Sequence, residues 1–207
     1  MVKATIKHPL VIGIQGGEGS FNEEAIRKYC AAKRIANYRI RYLYTTKRVL
    51  KALHEKRIDR GMFATENSGS GTVWETINAL SRYNCKILDD YRMQVNQCLL
   101  SVPEVKLKDI KVIMSHPQAL LQCKKTLAKR FPRKRLASGK GDLIDTAAIA
   151  KHLGAGKLPT TTAVIASQIA AKLYGLKVLA WNLQDKKPNL TSFLFVSRWN
   201  GRYELKW

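Results

Sequence analysis

Apolar runs of strand length alternate along this chain with stretches whose apolar residues recur at helical spacing. That alternation restricts the fold to the α/β class. Pro9 to Ile14 reads as a buried strand, and the glycine-rich turn Gln15 to Ser20 follows it. Ser20-Phe21-Asn22-Glu23 has the S-x-x-E spacing of a capping box, after which Ala25, Ile26, Tyr29 and Cys30 line a helix face. Tyr38 to Tyr44 is a second strand, and Thr45 or Thr46 caps a helix carrying Val49, Leu50 and Leu53. The short strand Gly61 to Ala64 enters a polar loop, Thr65 to Gly71, and Thr72 to Glu75 has capping-box spacing again. Lys86 to Asp89, Arg92 to Val102 and Asp109 to Met114 read as strands. Pro117 then opens a helix, capped by Ser115 or His116, with Leu120, Cys123 and Leu127 inward and Phe131 at its end. A basic linker, Pro132 to Gly141, precedes a short helix from Asp145 and a helix whose face is Ala166, Ile169, Ala170 and Leu173. Leu176 to Ala180 is a strand. The polar loop Asp185 to Asn189, held extended at Lys187 by Pro188, leads into a last strand, Thr191 to Ser197. This order predicts two α/β lobes.

Several classes are excluded. No apolar run approaches the roughly 18 residues of a membrane span, and the first residues lack the apolar core of a signal peptide. Cys30, Cys85, Cys98 and Cys123 are widely spaced, without a C-x-x-C pair, as expected of reduced thiols in a cytoplasm. The turn after the first strand lacks G-x-G-x-x-G spacing, and the later Tyr38-Arg39-Ile40-Arg41 offers no carboxylate for a ribose. Dinucleotide binding is therefore not expected. The net charge of +22 suggests nucleic acid, but the basic residues are spread widely and no nucleic-acid-binding motif accompanies them. Specific nucleic-acid binding is not expected; steering of a small anion is compatible with this charge.

Three polar stretches, Gly17 to Ser20, Glu66 to Ser68 and Ser115 to Gln118, each follow a strand, which is where open α/β sheets bind ligands. Each of them puts polar side chains at a helix start, whose N–H groups are able to receive an anion. Thr191 and Ser192 place two hydroxyls at the start of a strand beside a loop. A cleft between the lobes would gather all of these groups.

Four stretches, GGEGSFNEEA (Gly16 to Ala25), TENSGSGTV (Thr65 to Val73), SHPQALLQC (Ser115 to Cys123) and NLTSF (Asn189 to Phe193), resemble in order and separation the motifs of prephenate dehydratase. The resemblance extends over nearly the whole chain, including Asp145 to Ala150 and Ala163 to Leu176. It implies a fold like a type II periplasmic binding protein, crossed twice between lobes, with 1–91 plus 181–207 in one lobe and 92–180 in the other. It covers the catalytic domain alone, without chorismate mutase or ACT domains. It further implies prephenate, or its aminated relative arogenate, as substrate of a decarboxylating dehydration in phenylalanine biosynthesis. No metal or organic cofactor is implied, and a dimer or tetramer is.

The family's catalytic threonine corresponds to Thr191. The arginine that follows it in the family is Ser192 here, which removes a bidentate carboxylate clamp. Lys186, Lys187 or Arg198 could replace it. Ser20 stands where the family has threonine. The chemistry asks for a hydrogen bond to the departing ring hydroxyl, which Thr191 can give, and for a proton source, for which Glu66 and His116 are candidates. The helix starts at Ser20, Ser68 and Ser115 supply donors for the carboxylates, and Asn67, Gln118 and Thr146 are orienting donors. Asn189, Ser192 and Phe193 complete the expected site. Two other readings are a related enzyme that decarboxylates without aromatising, and a dehydratase-like protein that binds a small anion or nucleic acid. Retention of Thr191 opposes the first.

Overall fold

The computed structural model of the chain describes residues 8–139, 143 and 145–201. The expected lobe ends at 1–7 and 202–207, and the last two residues of the basic linker, lie outside these. Two sheets organise the molecule. In the first the order is β2 (Tyr38–Tyr42), β1 (Leu10–Ile14), β3 (Arg60–Asn67), β11 (Leu190–Arg198) and β5 (Cys85–Gln94), with the two-residue β4 (Gly71–Thr72) beside β3. β1 pairs in parallel with β2 and β3, while β11 runs antiparallel between β3 and β5. In the second the order is β10 (Lys177–Ala180), β6 (Cys98–Ser101), β9 (Thr162–Ala166), β7 (Val112–Met114) and β8 (Arg135–Ala137). The chain passes from the first sheet to the second through residues 95–97 and returns through 181–189.

Helices cover both faces of each sheet, because parallel strands need crossovers that lie on the sheet. On the first sheet α1 (Phe21–Ala32) packs Ala25, Ile26, Tyr29 and Cys30 against Ile12, Ile14, Met62 and Phe193. On its other face α2 (Thr46–His54) and α3 (Trp74–Leu80) enclose Phe63 and Val196. On the second sheet α6 (Thr146–Gly154) and α7 (Gln168–Leu173) cover one face, and α4 (Pro117–Gln122) and α5 (Lys124–Arg130) lie on the other. Phe63 and Phe193 are fully buried, and burial of such side chains contributes about 1.5–3 kcal/mol each.

The elements depart from the expected ones at several points, among them that β3 continues through Thr65 to Asn67, read as loop, and that the strand read from Asp109 begins at Val112. The run read as opening a helix, Ala163 to Ala166, belongs to the central strand β9, all of whose residues are buried. A strand covered on both faces has no apolar alternation, so periodicity does not separate it from a buried helix. Arg135–Ala137, within the expected linker, is the edge strand β8, with Arg135 and Leu136 exposed. Lys86 to Asp89 is part of one long strand, β5, which extends to Gln94 before the chain turns away. The helix expected to run from Pro117 to Phe131 is divided at Cys123, whose φ of −111° and ψ of 6° leave the helical region. The caps follow the sequence more closely. Ser20, Thr45 and Asp145 each accept a backbone N–H at the start of α1, α2 and α6, whereas α3 begins after Val73 without a side-chain cap.

Candidate active site

A cleft of about 680 Å³ opens between the two sheets. Its walls come from residues just past the ends of β1, β2, β3 and β7, the position at which open α/β sheets place their ligands. Asn67, His116, Gln118, Thr146, Thr191 and Phe193, all expected from the sequence, line it.

The floor is a chain of amides whose orientations are set by backbone groups. Asn67 Oδ1 accepts the N–H groups of Gly69 (2.8 Å) and Ser70 (3.0 Å). Its Nδ2 is therefore turned to the other side, donating to Asn189 Oδ1 (2.8 Å) and Thr191 Oγ1 (2.9 Å). Asn189 Nδ2 donates to the Val95 carbonyl (3.0 Å) and to Gln122 Oε1 (3.2 Å). Gln122 Oε1 also accepts from Gln97 Nε2 (2.9 Å), and Gln122 Nε2 donates to Ser70 Oγ, which Gln118 Nε2 also reaches at 3.1 Å. Asn67 and Thr191 are directly opposed in the β3–β11 ladder, so the sheet register itself places the amide against the hydroxyl. Because Thr191 Oγ1 accepts from Asn67, its own proton is available to a partner in the cleft.

His116 caps α4, its Nδ1 accepting the Gln118 N–H at 3.0 Å. The proton of the neutral ring is thereby placed on Nε2. Burial holds the imidazole below its ordinary value of 6.5, against the opposing pull of Asp145. His116 is therefore a hydrogen-bond donor in the cleft rather than a charged acid.

The other expected residues are placed differently. Glu66 is exposed, points away from the cleft lining and stands opposite Ser192 and Thr72 in the sheet, because strand alternation puts it on the other side from Asn67. The proposed proton source at Glu66 is thus corrected. Ser192 is removed from the lining by the same alternation, between Glu66 on β3 and Arg92 on β5. Ser20 and Ser115 are buried and spent on structure: Ser20 Oγ caps α1, and Ser115 Oγ donates to the Ile165 carbonyl at 2.7 Å. Ser68 bridges Pro188 and Leu190, and Asn189, buried within the amide chain, does not itself reach the lining.

The glycine-rich turn is also not an open anion site. Its amides are already engaged by carboxylates, Gly17 N–H with Asp145 Oδ2 (2.9 Å) and Gly19 N–H with Glu23 Oε2 (2.6 Å). The turn fastens the two halves of the molecule instead. Ser167 Oγ donates to the Gly19 carbonyl at 2.6 Å and the Tyr174 hydroxyl to that of Glu18 at 2.7 Å. Gly19, at a φ of 82°, lies so near α7 that a Cβ would meet Ala170 at 3.3 Å.

Sequence reasoning missed Gln15, Tyr44, Glu75, Gln97, Gln122 and Asp145 as lining residues. Gln122 was discoverable, since it follows Gln118 by four positions and so shares its helix face. Gln97 lies in a short connection with no local pattern. Among the described residues the lining holds no lysine or arginine, although the chain carries a net charge of +22.

Two α/β halves, each a sheet with helices on both faces, are crossed twice by the chain and enclose a polar cleft, an architecture similar to that of periplasmic-binding-protein-like domains. A putative methionine-binding lipoprotein of Bacillus subtilis shares this fold, with a TM-score of 0.51 at 13% identity over 94% of this chain and 85% of that one. The chain belongs to the prephenate dehydratase family, whose model matches residues 12–200. Prephenate dehydratase from Arthrobacter aurescens, solved in complex with L-Phe, superimposes with a TM-score of 0.80 at 26% identity, covering 95% of this chain and 62% of that one. Arogenate dehydratase 2 of Petunia hybrida is 33% identical over 94% of this chain and 46% of its own length. The chain thus spans about half the length of the curated relatives it matches.

Proposed function

We propose that this chain is the catalytic domain of a dehydratase that converts prephenate, or its aminated relative arogenate, to phenylpyruvate or phenylalanine. The observation that carries this reading is the Asn67–Thr191 hydrogen bond on the floor of the cleft, in a chain of this family. In the reaction the bond between the ring and its carboxylate breaks, CO₂ leaves and its electron pair enters the ring. The ring hydroxyl departs with the electrons of its C–O bond and, once protonated, leaves as water. Thr191, accepting from Asn67, donates its hydrogen bond to that oxygen, and His116 Nε2–H is a second donor in the same cleft. Aromatisation supplies the driving force, so orientation and leaving-group assistance are what the protein adds.

We read the two sheets as the two lobes, joined at residues 95–97 and 181–189. The compartment is read as the reducing cytoplasm: the four cysteines are free, and burial pushes the Cys30 and Cys98 thiols up to about 11, as suits core residues. A homodimer or tetramer is carried over from the family and is tested by sedimentation.

The test is product formation by the purified chain from each substrate, beside Thr191→Ala. Turnover in the parent and its loss in the variant are expected. Parent turnover untouched by the substitution would remove Thr191 from the mechanism, and turnover of neither substrate would overturn the assignment.

A further inference from the structure

The floor of the cleft is polar, but its mouth carries exposed apolar side chains. Trp74, at the first position of α3, lines the cleft and is 69% exposed, whereas Thr191 on the floor is 7% exposed. On the wall contributed by the second sheet, Leu121 lines the cleft and is 56% exposed. Pro117 lines it too, four residues earlier and so on the same face of α4. Val73 stands beside Trp74 in the lining. Single exposed apolar side chains are ordinary on a protein surface, but several that rim one polar cavity mark a ligand-binding groove.

The indole is set on a firm support. The Val73 N–H donates to the Thr65 carbonyl at 2.8 Å, and Thr76 Oγ1 donates to the Ala64 carbonyl at 2.7 Å. The backbone on both sides of Trp74 is therefore tied to β3, the strand that carries Asn67. The Glu75 carboxylate accepts from Gln15 Nε2 at 2.9 Å, from the Thr46 N–H at 3.3 Å and from the Lys47 N–H at 3.4 Å, which joins the start of α3 to that of α2. Among the described residues no aromatic ring packs on the indole, whose face is left open toward the mouth of the cleft.

The floor also decides which way round the substrate lies. Thr191 donates its hydrogen bond to the ring hydroxyl, and that hydroxyl leaves from the ring carbon opposite the one that loses CO₂. With the hydroxyl on the floor, the ring stands between the two walls and its carboxylate-bearing carbon points to the mouth. The indole on one wall and the Pro117–Leu121 face on the other then meet the ring rather than its polar ends. As CO₂ and the hydroxyl depart, the ring becomes planar and aromatic. Aromatic rings attract one another in offset-stacked or edge-to-face arrangements, so a contact with the indole strengthens along the reaction and favours the transition state over the bound substrate.

We propose that Trp74 is a further substrate-contacting residue, its indole lying against the substrate ring at the mouth of the cleft and tightening on it as the ring aromatises. This rests on the dehydratase reading above. The work is divided by depth: the amide-held hydroxyl on the floor assists the leaving group, and the apolar rim holds the ring in line with it.

The experiment compares kcat/KM in the parent, Trp74→Ala and Trp74→Phe, and follows tryptophan emission as phenylpyruvate is titrated into the parent and into Trp74→Phe. Trp74→Ala is expected to lower kcat/KM by about tenfold, through lost apolar contact and lost ring stacking together. Trp74→Phe, which keeps a ring, recovers most of that loss. Thermal midpoints stay close to the parent's in both, because the side chain is exposed. Phenylpyruvate produces a saturable change of emission in the parent that is missing from Trp74→Phe. Activity of Trp74→Ala within twofold of the parent overturns the proposal, and so does an equal loss in Trp74→Phe. No saturable change in the parent, or the same change in Trp74→Phe, overturns it as well. If the parent turns over neither substrate, the dehydratase reading falls, and the emission titration still decides whether the indole meets an aromatic ring in the cleft.

Discussion

Asn67 Nδ2 donates to Thr191 Oγ1 at 2.9 Å, and the two residues face each other across the β3–β11 ladder. The amide cannot turn away, because its oxygen holds the Gly69 and Ser70 N–H groups. Thr191→Ala is expected to lower kcat by about 10²-fold or more, the scale of removing one donor aimed at developing charge. Thr191→Ser, which keeps the hydroxyl, should retain most of the rate. Asn67→Asp sets a carboxylate oxygen against Asn189 Oδ1 and draws the threonine's proton toward itself. Loss of turnover with a lowered denaturation midpoint is the expected outcome, the stability cost being about 1–3 kcal/mol.

Glu66 is exposed and lies on the far side of its strand from Asn67. Glu66→Gln is therefore expected to leave kcat/KM within about twofold of the parent, as surface substitutions generally do. A large loss in steady-state assays would return this carboxylate to the chemistry.

Ser192 lies between Glu66 and Arg92 rather than in the cleft. Restoring the family residue by Ser192→Arg sets the new guanidinium opposite both Glu66, a contact of about 0.2–1 kcal/mol, and Arg92, whose like charge offsets it. A thermal midpoint close to the parent's with kcat/KM unchanged is expected. A marked gain in turnover would show that the guanidinium reaches the substrate.

The His116 imidazole is held below 6.5 by burial. As pH falls through 6.5 the unfolded chain takes up a proton that the folded chain does not, so the folded state loses stability below that value and has the full contribution above it. Protonation would also place a donor on Nδ1, facing the Gln118 N–H it now accepts. His116→Gln should reduce the loss of stability between about pH 7.5 and pH 5.5 in denaturant titrations. Identical pH dependence in parent and variant would show that the ring does not titrate differently on folding.

The α/β class, the caps at Ser20, Thr45 and Asp145 and the buried faces of α1 and α2 were determined locally, by spacing and by side chains that bond within three residues. Thr191, Asn67, Gln118 and His116 were legible for a related reason, since each sits in a short motif at the end of a strand or the start of a helix. What depended on tertiary structure was which side of a strand faces the cleft. A shift of one residue reverses that face, which is why Glu66 and Ser192 fell outside while their neighbours Asn67 and Thr191 fell inside. Burial on both faces hid β9, because a fully enclosed strand presents no alternation. Gln97, the Gln122–Asn189–Asn67 amide chain and the carboxylates of Glu75 and Asp145 meet across wide separations in the sequence. Their hydrogen bonds exist only once the two sheets have closed on each other, and a single chain read in order carries no local signal of that meeting.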